Sequence, residues 1–223
     1  MDIPILFRDA RFVVLDKPAG LPVHPGPRGG SSVEDAFARL SRRRDGPWLA
    51  HRLDADTAGC LVVALRRSAL RAAQTAFASG AAEKTYWAVV APAPEADSGH
   101  VAVALRKVSD RSGWRMCADT AGVPAITDWR VLGRGEGTAW LELHPRTGRT
   151  HQVRAHCAWL GCPVVGDAVY GEGGGPLQLL ARAIRLPLDP PLAATAPVPP
   201  HMRAALVGCG WRTVSPAGTT AGT

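Results

Sequence analysis

Residues 51–64, His-Arg-Leu-Asp-Ala-Asp-Thr-Ala-Gly-Cys-Leu-Val-Val-Ala, constrain this chain more than any other stretch. His51, Arg52, Asp54 and Asp56 place an imidazole, a guanidinium and two carboxylates within six residues. Thr57-Ala58-Gly59 then turns the chain into an apolar run that reads as a buried strand over 60–66. Charge set directly against a core strand is costly unless it is paired or used. The fold must therefore bring partners to these groups at one end of a central strand, and that end is where a site is expected.

The rest of the chain reads as short elements. Residues 4–16 form two strands about the turn Arg8-Asp9-Ala10-Arg11. The loop 16–26 is punctuated by Pro and Gly and cannot be helix. Ser31-Ser32-Val33-Glu34 has the form of a capping box opening a helix through Arg44, with Val33, Phe37 and Leu40 at helical spacing. A second helix is predicted over 68–79 with Gly80 as its stop, and a third from Thr150 as N-cap to Gly161. Strands are predicted over 84–91, 124–133, 138–144 and 177–186 and near 100–106. Gly133-Arg134-Gly135-Glu136-Gly137 lacks the strand-to-helix context of a dinucleotide loop and reads as a hairpin turn. Residues 187–200 read as an extended connector, 199–206 as a short helix and 215–223 as a disordered tail. Many short strands, few helices and no regular βαβ alternation predict an α+β fold. Its sheet should be mixed and largely antiparallel, flanked by a few helices, in one domain over 1–212.

Composition narrows the function class. At 223 residues the chain can bury a full core. Its 26 basic and 19 acidic residues leave a net charge of +7, which favours a polyanionic partner. Only Lys17, Lys84 and Lys107 are lysine, and arginine is the better bidentate phosphate ligand. A GC-rich genome produces the same arginine bias, so charge alone is a weak pointer to nucleic acid. The cysteines 60, 117, 157, 162 and 209 are odd in number and scattered, which argues against a disulfide framework or a zinc ribbon. His151, His156, Cys157 and Cys162 match no standard metal-ligand spacing, so no metal is expected. Charges interrupt the N-terminus before a signal peptide forms, and no apolar run approaches the ~20 residues that span a bilayer. A cytoplasmic protein without a membrane partner is expected.

Three separated motifs carry a family resemblance. His51-Arg52-Leu53-Asp54-x-x-Thr57-x-Gly59 resembles the catalytic motif of RluA-type RNA pseudouridine synthases. Lys84-x-Tyr86-x-Ala88 and Thr147-Gly148-Arg149-x-His151-Gln152-x-Arg154 match that family's second and third motifs, in order and at plausible separations. Lys17-Pro18-Ala19-Gly20-x-x-Val23-His24-Pro25 and Gly166-Asp167-x-x-Tyr170-Gly171 extend the likeness over residues 3–212. The resemblance implies the pseudouridine synthase fold with a central catalytic cleft, in a short member lacking the small N-terminal S4 RNA-binding module. It implies Asp54 as the essential catalytic residue, with Tyr86 and Arg154 beside it and no cofactor.

The implied reaction breaks the C1′–N1 bond of uridine, turns the base and joins C1′ to C5. Arg154 would hold Asp54 charged. Tyr86 would set a flat ring against the uracil and offer a phenol to relay the C5 proton. Asp54 either attacks the sugar carbon or first removes a ribose proton. Arg52 lies on the same side of an extended segment as Asp54, suited to RNA phosphate or to the space left by a flipped base. Arg149, with Thr150 and His151, opens a helix where a phosphate contact is plausible. Lys84 is a phosphate or structural partner, and His51 contacts RNA or hydrogen-bonds within its loop. Asp56 and Asp167 read as structural. The expected partner is tRNA or rRNA, met at a single-stranded loop with the uridine flipped out, by a monomer. Ala58 and Leu180 depart from the Ser and His that family members often carry there. Two rival readings are a non-catalytic RNA-binding protein that keeps this fold and a nucleoside or glycoside hydrolase using Asp54 and Asp56.

Overall fold

The computed structural model describes residues 2–26, 29–42, 45–111 and 113–212. The strands among them are β1 (Ile5–Arg8), β2 (Phe12–Lys17), β3 (Trp48–Leu49), β4 (Ala58–Ala64), β5 (Glu83–Val90), β6 (Ser98–Ala102), β7 (Leu105–Asp110), β8 (Gly113–Ala118), β9 (Ile126–Arg134), β10 (Ala139–Pro145), β11 (Leu179–Leu186) and β12 (Leu192–Thr195). The helices are α1 (Phe37–Leu40), α2 (Arg67–Ala78), α3 (Gln152–Trp159) and α4 (Pro200–Gly208). The main sheet runs β1-β2-β4-β11-β5-β10-β9-β6, with β3 beside β4 and β12 beside β11. Among the described residues only the β4–β11 pair, at Leu180–Ala58 and Ala181–Gly59, is parallel. The sheet is thus mixed and mostly antiparallel, as the strand pattern predicts.

β4 is the central strand because all seven of its residues are buried. A strand covered on both faces reads as a continuous apolar run. Val62 packs with Phe12 and Val14, and with Ala69, Ala73, Met202 and Leu206 of α2 and α4. Leu61 and Val63 face the other way, against Val33, Leu40 and Leu53. A further cluster joins Ala88, Leu141 and Leu143 of β5 and β10 to Val153 and Cys157 of α3. The β1–β2 turn forms because the Asp9 carboxylate accepts from the Arg11 and Phe12 amides at 2.7 and 2.6 Å.

Gly59 is needed where β4 begins. Its φ is 109°, and a Cβ there would meet the Ala181 carbonyl oxygen across the parallel bridge. The motif glycine therefore lets β4 and β11 approach at the end where Asp54 lies.

Several expected elements differ in detail. The helix predicted from Ser31 through Arg44 is a 3₁₀ turn (Val33–Ala36) followed by the single turn of α1. Its N-cap is Ser32, whose amide donates to the Asp35 carboxylate at 3.0 Å. Ser41 turns extended and Arg8 donates to the Leu40 carbonyl at 2.9 Å, so the helix stops before Arg42. Arg43 and Arg44 lie outside the described residues, as does the tail expected over 215–223.

The strand expected near 100–106 is two strands, and β7 leaves the main sheet to pair with the unforeseen β8. The connector 187–200 contributes β12, which pairs with the second half of β11. α3 begins at Gln152, and its N-cap is His151 rather than Thr150. The Gln152 side chain accepts from the Arg149 amide at 3.0 Å and donates to the Ile126 carbonyl at 2.8 Å. Those bonds hold the turn to β9 and delay the helix.

Candidate active site

The turn preceding β4 delivers Asp54. Leu53 is buried on one side of it and Thr57 on the other, and the Thr57 amide donates to the Asp54 carbonyl at 3.2 Å. Beneath the turn lies Lys17, the last residue of β2, which is fully buried. Its ammonium donates to the carbonyls of Pro18, Leu21 and Ala55 at 2.8, 2.7 and 2.7 Å. Burial pushes its pKa down to about 8, against the opposing pull of Asp56 and Asp54. Lys17 thus ties the Pro-Gly loop to the Asp54 turn. Sequence reasoning gave it no role, although a lysine ending an apolar strand was the available signal.

Arg154 projects from α3, with 6% of its side chain exposed. Nη1 donates to Asp54 Oδ2 at 3.1 Å. Nε and Nη2 donate to Asp167 Oδ2 and Oδ1 at 2.7 and 2.8 Å. One planar guanidinium therefore bridges two carboxylates, a geometry lysine cannot reproduce. Asp167 also accepts from the amides of Val169 and Tyr170 at 2.9 and 3.1 Å. Burial alone would raise the Asp167 pKa, but Arg154 and those amides hold it below the usual carboxylate range. Burial opposes the charge on Arg154, and the two carboxylates more than compensate, raising its pKa.

Tyr86 comes from β5, opposite Ala181 of β11 and Leu143 of β10. Burial, then the Asp54 charge, pushes its phenol above the ordinary tyrosine range. It enters any reaction as a neutral hydroxyl. Lys84, two residues earlier, donates to the Thr147 carbonyl at 2.7 Å and so fastens β5 to the turn before α3. Burial and the charge of Arg149 lower its pKa to about 8.

His51 is turned inward. Its Nε2 accepts from the Val62 amide at 3.0 Å and its ring lies 4.9 Å from Phe77. Burial pushes its pKa down to about 4, so the ring is neutral. With Nε2 engaged by a strand amide, only the rest of the partly exposed ring is left to meet RNA. Arg52 is exposed beside it. Arg149 is also exposed, with Nε donating to the Pro124 carbonyl at 3.1 Å, and Thr150 is half-buried.

His151 stands in the site itself. Its Nε2 is 3.7 Å from Asp54 Oδ2 and its Nδ1 is 3.1 Å from the Tyr170 hydroxyl. Trp114 of β8 stacks on it at 4.6 Å and 26°. Neither Trp114 nor Tyr170 was picked out as a site residue. Trp114 lies in the strand whose sequence shows no alternation. His156 is buried against Thr127, with Nδ1 2.9 Å from Oγ1, and Cys157 and Cys162 pack in the core.

A cleft of ≈ 200 Å³ opens against Asp56, Arg154 and the 166–169 turn. The two departures from the family pattern, Ala58 and Leu180, face each other in the parallel bridge, both buried. They form an apolar pair beneath the site rather than part of its polar lining. Around the Asp54 carboxylate the arrangement gathers a fixed guanidinium, a protonated phenol and an imidazole. Such a set suits covalent or acid–base chemistry on a glycosidic carbon.

The comparisons with known proteins agree. The RNA pseudouridylate synthase family matches residues 11–159. An uncharacterised RNA pseudouridine synthase of Zymomonas mobilis is 39% identical, covering 87% of this chain and 93% of its own. One from Synechocystis is 35% identical, over 92% of this chain and 68% of its own. The solved structure of human RNA pseudouridylate synthase domain containing 4 superposes with a TM-score of 0.79 at 26% identity, covering 94% of each chain. On this evidence the chain belongs to the RNA pseudouridylate synthase family, a family of RNA isomerases.

Proposed function

We propose that this chain converts particular uridines of tRNA or rRNA to pseudouridine in single-stranded loops, with Asp54 as the catalytic carboxylate. The observation that carries the reading is the Asp54–Arg154–Asp167 bridge at the head of β4. A lone carboxylate so placed would be an uncompensated charge, and Arg154 supplies its partner while Asp167 fixes the guanidinium plane. Asp54 attacks C1′ or first removes a ribose proton, and Tyr86 walls the uracil. The uridine leaves its stack to enter the cleft, and the exposed Arg52 and Arg149 are the side chains that would take phosphate.

Incubating the wild type and Asp54→Ala with unmodified tRNA and rRNA transcripts, followed by carbodiimide labelling and primer extension, tests this. A discrete stop with the wild type alone supports the assignment. Equal RNA binding by both with no stop favours a binding protein, and release of free uracil favours a hydrolase.

A further inference from the structure

Resting on that function, we propose that His151 is the acid–base catalyst of the isomerisation. Its Nε2 removes the C5 proton once the C1′–C5 bond exists and then delivers a proton to N1.

The chemistry requires such a group. When C5 bonds to C1′, C5 carries both the sugar and its hydrogen, and a double bond joins N1 to C6. Removing the hydrogen as a proton returns the C–H pair to the C5–C6 bond. The N1–C6 π pair moves onto N1, which takes up a proton. One proton leaves carbon and one reaches nitrogen, so a single shuttling base balances the step.

The base must lie beside the carboxylate that marks C1′, because C5 is then one bond from C1′. His151 Nε2 is 3.7 Å from Asp54 Oδ2. Its Nδ1 is 3.1 Å from the Tyr170 hydroxyl, which already accepts the Met116 amide at 2.8 Å. A second lone pair on that oxygen accepts Nδ1–H, which leaves the Nε2 lone pair facing the site. The same bond persists when the ring becomes imidazolium, so Tyr170 serves both states. Trp114 covers one ring face at 4.6 Å, and Lys107 in turn lies 4.6 Å from the Trp114 ring. Only 11% of the His151 side chain remains exposed.

The backbone points the same way. Among the described residues His151 is the one non-glycine with positive φ, at 52°. Strain of this kind persists where surrounding structure holds a side chain for use. Tyr86 is the competing candidate, but burial and the Asp54 charge keep its phenol protonated. Burial lowers the His151 pKa, which leaves an imidazole able to accept a proton at neutral pH. The groups facing it are Asp54 and Asp56 from the turn before β4, Arg154 from α3, and Asp167 and Tyr170 from the 166–171 turn. The carboxylates stabilise the imidazolium and Arg154 opposes it.

The test uses His151→Asn, since Asn tolerates this backbone conformation but cannot titrate. The probe is a stem-loop containing a uridine that the wild type modifies. We expect kcat to fall about 10²- to 10⁴-fold with RNA affinity and melting temperature held. A primary isotope effect from deuterium at C5 should appear in the variant. The acid limb of the wild-type pH profile should vanish. With 5-fluorouridine in the same stem-loop no C5 proton exists, so cleavage and C1′–C5 joining should proceed at the wild-type rate. Equal losses on both substrates without an isotope effect would overturn the proposal, as would an unchanged kcat on uridine. A wild type inert on every transcript would overturn the function on which it rests.

Discussion

Arg154 joins Asp54 and Asp167 through one guanidinium, so its replacement acts on both stability and chemistry. Arg154→Met leaves Asp167 buried without its cation, a loss of about 3–5 kcal/mol that thermal melts will show as a marked drop in Tm. Arg154→Lys restores charge but not the two-carboxylate geometry, so kcat should fall at least tenfold with less loss of Tm. His51 offers a cleaner stability experiment. Its folded pKa of about 4 lies below the ordinary 6.5, so the unfolded chain binds the extra proton between those values. Stability from His51 is complete above pH 6.5 and is lost as pH falls toward 4, by up to about 3 kcal/mol. Denaturant titrations of wild type and His51→Gln across that window should show a steeper slope in the wild type. Parallel curves would mean that His51 does not carry it.

Elements place these residues. β4 has Asp54 at its head and the parallel bridge to β11 immediately after, which leaves no room for a side chain at Gly59. Gly59→Ala should therefore cost roughly 1–3 kcal/mol in backbone strain alone and also move Asp54, lowering both Cm and kcat. Leu61→Ala, deeper in the same strand, should cost about 2–5 kcal/mol of stability, read as a lower Cm, with kcat nearly unchanged in the folded fraction. The elements that sequence reading places well are those that bury an apolar pattern: β2, β4, α2 and the β9–β10 hairpin. α1, β8 and β12 escape it for physical reasons. α1 is cut short by tertiary bonds from Arg8, β8 has apolar positions that are exposed or half-buried, and β12 is an edge pairing completed by β11. At the site, Asp54, Tyr86 and Arg154 are legible as motif members. Lys17 and Tyr170 stand in quoted motifs without a legible role and Trp114 stands in none, because the part each plays arises from contacts between segments far apart in sequence.

The whole molecule carries a second cationic region. Arg8, Arg39, Arg42 and Arg66 line a cleft of ≈ 460 Å³ at the β1–β2 turn and the far end of β4 from Asp54. RNA long enough to reach that end would gain phosphate contacts there. The paired change Arg42→Glu with Arg66→Glu should raise KM for full-length transcripts about tenfold at physiological salt and flatten its salt dependence. A short stem-loop should be turned over unchanged, and equal effects on both RNAs would exclude the cleft from binding. We propose that the head of β4 holds Asp54 against Arg154 for uridine isomerisation. Tritium release from transcripts labelled at uridine C5 tests it most directly, because every conversion expels that hydrogen. Stoichiometric release is expected from the wild type and none from a folded, RNA-binding Asp54→Asn, whose side chain has nearly the same shape. Release by Asp54→Asn at a rate near the wild type's would contradict it.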